Sequence, residues 1–201
     1  MAATRINDEL IPTAVNNMNT ISKGMEAKMK SSCDKVRNMQ NVWHGQRYND
    51  FCTYYNKFID AYRPIQTYTI VTVPEWMKNW DKKIAVFENR APRGVTVETI
   101  TVIEPIVPQA RTGIHIDPAG VEGYRTEIIN DLNAMVSACP DYERCVDILG
   151  WEGPTADNFK TTMATNRAKM EEQLKEIETV FNREIQGTLE DRARLESGGV
   201  Q

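Results

Sequence analysis

The side chains able to do acid–base, nucleophilic or metal chemistry are few and scattered. The chain carries two histidines, His44 and His115, and four cysteines, Cys33, Cys52, Cys139 and Cys145. No two cysteines form a Cys-x-x-Cys pair, and two distant histidines do not complete a structural zinc site. His115 stands in the run GIHID beside Asp117 with no nucleophile near it, and His44 falls in a turn where it is expected to face solvent. Gly-rich phosphate loops, Gly-x-Ser-x-Gly and His-Glu-x-x-His are all missing. The expectation is a protein that is not an enzyme and holds no metal and no cofactor. The thiols leave one covalent option. Cys33 lies ten residues before Trp43 and Cys52 nine after it, so on antiparallel helices rising ~1.5 Å per residue they reach similar heights. A bridge needs Cα atoms within ~7 Å, whereas helix axes lie ~8–10 Å apart. Cys33–Cys52 is thus the candidate disulfide if both side chains point inward, with two separate buried thiols as the alternative. Cys139 and Cys145 can meet only if the helix breaks at Pro140.

The elements that would carry these residues are mostly helices. In residues 5–41, Ile11, Val15, Met18, Met25, Met29, Val36 and Met39 recur at three, four or seven, the period of a narrow buried stripe. Phe51, Tyr55, Phe58 and Tyr62 continue it on a second helix that Pro64 is expected to kink or end. TYTIVTV (67–73) has strand chemistry, and 74–91 reads as helix with Trp76, Trp80, Ile84 and Phe87 on one face. Residues 92–120 hold four prolines, and VTVETITVI (95–103) reads as a strand, a candidate partner of 67–73. A second helical unit follows: Val121, Tyr124, Ile128, Leu132, Met135 and Cys139, then Phe159, Met163, Met170, Leu174, Ile177, Phe181 and Ile185. The tail ESGGVQ is polar and expected to fray.

Composition narrows the function classes. Net charge is −4 and no dense basic block occurs, which disfavours nucleic acid as a partner. No apolar run approaches the ~18 residues of a membrane span, and MAATRINDELIPTAV lacks the greasy core of a secretory signal peptide.

The chain repeats itself. Trp43 and Gly45 recur as Trp151 and Gly153 at an offset of 108 residues, and Phe51 recurs as Phe159 at the same offset. Asn49 aligns with Asp157 and Asp50 with Asn158. Each unit is a long helix, a Trp-x-Gly turn and a second long helix, an internal duplication of a helical hairpin. Gly permits the backbone angles of a tight reversal, and the indole can close the end of the hairpin. The expected architecture is mainly α: two helix–Trp-x-Gly–helix hairpins forming an elongated four-helix bundle, with a short β-containing connector. Its divisions are 1–91 (first hairpin and an extra helix), 92–120 (connector) and 121–201 (second hairpin and tail).

Hairpins of this kind, here Trp43-His44-Gly45 with Phe51 and Trp151-Glu152-Gly153 with Phe159, resemble the WXG family of small proteins exported by bacterial type VII secretion systems. The resemblance covers roughly residues 5–65 and 121–192. Family members are typically single hairpins that pair as antiparallel dimers, so it implies an intramolecular pseudo-dimer. It further implies a non-enzymatic secretion substrate, carrier or effector that reaches the outside or the cell surface without a signal peptide. Its protein partners would be a secretion ATPase or another WXG-like protein. The family's Tyr-x-x-x-Asp/Glu export motif has no match: the residues four after the seven tyrosines are Cys, Phe, Ile, Gln, Thr, Ile and Val. An intracellular, cytoplasmic or particle-associated structural or adaptor bundle is the alternative.

Overall fold

A computed structural model describes residues 6–198. The chain is mainly helical. A 3-10 turn at Asp8–Leu10 leads into α1 (Ile11–Met39), and a turn containing β1 (Trp43–His44) leads into α2 (Gln46–Thr67). A π-helical turn, Tyr68–Thr72, joins α2 to α3 (Val73–Phe87). A long irregular strap then returns along the molecule to β2 (His115–Ile116), followed by α4 (Pro118–Asp147) and α5 (Pro154–Gly198). The expectation for residues 199–201 lies outside the described residues, as does that for residue 5 at the start of the first helix.

Local signals account for most helix ends. Pro12 and Pro118 occupy first-turn positions, where a missing N–H costs nothing. The Asp117 carboxylate accepts a hydrogen bond from the Ala119 N–H (3.2 Å), capping α4. Gly150, at φ 54°, lies just past the end of α4, in the left-handed conformation that glycine adopts without a Cβ penalty.

Three expectations are corrected. First, 67–73 is helix, not strand. Thr69, Ile70 and Val73 are buried, and the Tyr142 hydroxyl of α4 donates to the Thr69 carbonyl (2.8 Å). Burial overrides β propensity here. Pro74 has no N–H for the carbonyl four residues back, and a widened π turn precedes it. Second, neither Pro64 nor Pro140 ends its helix: both are interior. Unbroken helix keeps Cys139 and Cys145 apart, since six residues rise ~9 Å. Third, 95–103 pairs with no strand. The sheet is instead β1 with β2, antiparallel, with Trp43 opposite Ile116 and His44 opposite His115. Phe87 leaves its expected face too, being 92% exposed at the end of α3.

Packing is most extensive between α1 and α4 and between α2 and α5. Both pairs are antiparallel. Along α1, Asn7 just before the helix bonds Leu149, while Lys28 and Lys35 bond Asp131. Along α2, Arg47 meets Asp191, Lys57 meets Glu176, and the Tyr68 ring stacks on Phe159. The methionine-rich stripe of α1 and the aromatic stripe of α2 thereby enter one core with the apolar faces of α4 and α5. At 45 residues, α5 is about 68 Å long.

The strap crosses the groove between α1 and α2, held by side chains that grip its backbone. Asn56 brackets Ile106, accepting from its N–H (2.7 Å) and donating to its carbonyl (3.0 Å). Gln40 brackets Gln109 in the same way (3.0 and 2.5 Å). Glu26 accepts from the Thr101 N–H and Gln66 donates to the Thr101 carbonyl, each at 2.8 Å. Ile103 and Ile106 are the strap's buried anchors.

Candidate functional site: the two Trp-x-Gly turns

Gly45 has φ 121° and Gly153 φ 108°, a region that side-chain-bearing residues rarely enter. Each glycine then opens a helix with the same bond: Asn49 N–H donates to Gly45 C=O (3.2 Å), and Asp157 N–H donates to Gly153 C=O (3.1 Å). Those two donors are the residues that align in the sequence repeat.

Both indoles are buried. Trp43 lies against Phe51 (ring centroids 5.7 Å) and Tyr48 (5.7 Å) of α2. It stacks on Phe181 of α5 (6.4 Å), and its indole N–H donates to the buried Thr188 hydroxyl (3.0 Å). Phe51 and Phe181 close the cluster at 4.0 Å. Trp151 packs on Phe159 (5.9 Å) and edge-on against Trp76 of α3 (6.3 Å). Each tryptophan therefore sits on the Phe eight residues after it and on a ring from an element remote in sequence, Phe181 of α5 for Trp43 and Trp76 of α3 for Trp151. Trp151 Nε1 has no hydrogen-bond partner among the described residues.

The turns are also tied crosswise through the backbone. Asp117 N–H, at the start of α4, donates to the Val42 carbonyl beside the first turn (2.7 Å). Asn7 N–H, ahead of α1, donates to the Leu149 carbonyl beside the second turn (2.7 Å). Gly120 lets α4 approach: a Cβ there would stand 3.0 Å from the Val42 side chain.

The two histidines, remote in sequence, meet at the first turn. Their rings stack at 5.2 Å across β1 and β2. His44 is half-buried, not solvent-facing as expected. Burial lowers its pKa, helped by His115 and Arg111 and opposed by the Thr112 and Gln40 carbonyls. A strand pairing that periodicity does not reveal brings them together. A cleft of 570 Å³ opens beside this turn between Gly45, Asn49, Gln109 and Arg111. Among the described residues no cluster of three or more His, Cys, Asp or Glu could hold a metal ion, and no helix is long and apolar enough to cross a membrane.

The Cys33–Cys52 bridge is not present. All four cysteines are free thiols. Cys33 keeps company with Tyr55 and Cys52 with Tyr48, so the two side chains settle among different tyrosines. Burial pushes their pKa values up, to about 11 for Cys33 and about 12 for Cys52. That suppresses the thiolate that oxidation requires.

Comparison with models of known protein families, with curated proteins and with solved structures finds no match to this chain.

Proposed function

We propose that this chain is a tandem WXG-like protein: two Trp-x-Gly hairpins folded as an elongated four-helix pseudo-dimer. In this reading it works by binding proteins within a type VII-like secretion system, as a substrate, carrier or effector, and catalyses no reaction. The observation that carries the reading is the reciprocity of the two turns. Asn7 bonds the second turn as Asp117 bonds the first, and each Trp is roofed by an aromatic residue from the other half of the chain, Phe181 of α5 for Trp43 and Trp76 of the extra helix α3 for Trp151. A two-fold dimer of single hairpins makes crosswise backbone ties of this kind twice. Expected partners are a secretion ATPase or a further WXG-like protein.

The second reading, an intracellular structural or adaptor bundle, is favoured by the unmatched Tyr-x-x-x-Asp/Glu motif. Tagged full-length chain expressed in a bacterium with an active type VII system separates the two. Chain in the medium, in excess of a cytosolic lysis marker and lost when the secretion ATPase is deleted, supports export. Chain retained in the pellet in both strains supports the adaptor.

A further inference from the structure

The strap carries an open strand edge, and we propose that it pairs with the same edge of a second copy of this chain. The observation is an alternation in the strap's hydrogen bonds. Lys23 donates to the Thr99 carbonyl (3.0 Å), Glu26 and Gln66 take both backbone groups of Thr101, and Arg63 donates to the Ile103 carbonyl (3.1 Å). Three successive odd-numbered residues thus turn their backbone toward the helices, the period-two signature of an extended strand. On either side of this run the Thr96 and Glu104 carbonyls are held by Asn19 (3.0 Å) and Arg37 (3.1 Å) of α1, so the open edge is confined to Glu98, Ile100 and Val102. Among the described residues no hydrogen bond reaches the backbone groups of these three. Val102 is 70% exposed.

Unpaired strand edges template the addition of another strand. Natural edges are blunted by lysine, proline or bulges. From Val95 to Glu104 the strap has no lysine and no proline.

The segment is self-complementary, which selects a second copy as occupant. An antiparallel two-fold at Ile100 sets Ile100 against Ile100 and Val102 against Glu98 in the hydrogen-bonded positions. Between them, Thr99 falls opposite Thr101 and Val97 opposite Ile103, pairs that favour a ladder. Glu104 falls opposite Thr96, so no two glutamates face each other. All six free N–H and C=O groups on each edge then find partners. The groove contacts on the odd-numbered edge are untouched. Such a ribbon buries less than the ~1,200 Å² of stable complexes, so the dimer is weak and concentration-dependent.

Sedimentation velocity of the full chain from about 1 to 500 μM tests this. The expected result is a shift from monomer toward dimer. Val102→Pro removes one edge N–H and Val102→Lys places a charge on it. Each should move the midpoint at least ten-fold higher, with helical circular dichroism unchanged. Should Val102→Pro misfold, Val102→Lys decides. Ile100→Cys should cross-link to itself under mild oxidation, because hydrogen-bonded pairs hold Cα atoms ~5.5 Å apart, within disulfide reach. Wild-type protein that stays monomeric throughout overturns the proposal. So does a dimer that survives both Val102 changes, or Ile100→Cys protein that cross-links no more than wild type.

Discussion

Trp43 and Trp151 occupy equivalent places in the repeat, yet differ in one bond. Trp43 donates to Thr188, whereas Trp151 Nε1 meets no partner among the described residues. Trp43→Phe should cost about 1 kcal/mol more in urea unfolding than Trp151→Phe, the net worth of one hydrogen bond. Equal losses would show that the Thr188 contact adds nothing. Either Trp→Ala change should cost ~3–5 kcal/mol, as expected for a large side chain removed from a packed core. The thiols divide by burial in the same way. Cys33, Cys52 and Cys139 are buried, with burial raising their pKa to about 11, 12 and 12. Cys145 is only half-buried. Native protein at pH 8 should therefore react first at Cys145 with a thiol reagent, and at the other three only on unfolding. Peptide mapping after brief labelling reads this directly.

At the scale of elements, the strap depends on a few polar side chains because, among the described residues, no backbone–backbone hydrogen bond reaches 91–114. Asn56→Ala strips both bonds from Ile106 and leaves its N–H and carbonyl at a half-buried site. Hydrogen exchange should rise around 101–109 while α1 and α2 keep their protection, at a cost of about 1–3 kcal/mol. β1 and β2 add a pH dependence. The pKa of His44 is depressed in the folded chain, so the unfolded chain binds the proton more readily. The stability this gives is present above the ordinary histidine value of 6.5 and is lost as pH falls through the folded value. Acidification from neutrality should loosen the β1–β2 pairing first, seen as faster exchange at His115 and Asp117, and His44→Phe should remove that sensitivity. The helices themselves were legible from their stripes, because a buried face repeats at three and four whatever it packs on. The strap and the 67–73 segment were not. Both hold β-branched runs, and only their neighbours decide that one becomes helix under Tyr142 and the other an irregular strap over the α1–α2 groove.

For the molecule as a whole, the long helices are held by core contacts and by a few polar links across α1 and α4. Asp131 is buried and accepts from Lys35 (2.7 Å), Lys28 (2.9 Å) and Ser31 (2.9 Å). Burial raises its pKa, but the lysines and serine outweigh that and the net shift is downward. Its contribution is present above the unfolded carboxylate value and is lost as pH falls through the folded one. Asp131→Asn should lower stability at pH 7 by about 1–3 kcal/mol and flatten the loss on acidification below about pH 4. A fragment ending near Ala110 exposes the faces of α1 and α2 that α4 and α5 cover. It should self-associate or stay partly molten, and a monomeric, cooperatively folding fragment would contradict the pseudo-dimer.

The sequence by itself determined the helical stripes, the glycines at the two turns and the 108-residue repeat. Each is a local or periodic property: a 3.6-residue period, a φ only glycine tolerates, a motif met twice. Tertiary structure alone decided that Thr188 receives the Trp43 N–H, that His44 stacks on His115, and that Cys33 and Cys52 stay apart. Those outcomes turn on the relative rotation of helices and on the path of a 30-residue connection between α3 and α4. Many side chains set that rotation and path jointly, and no spacing along the chain encodes them.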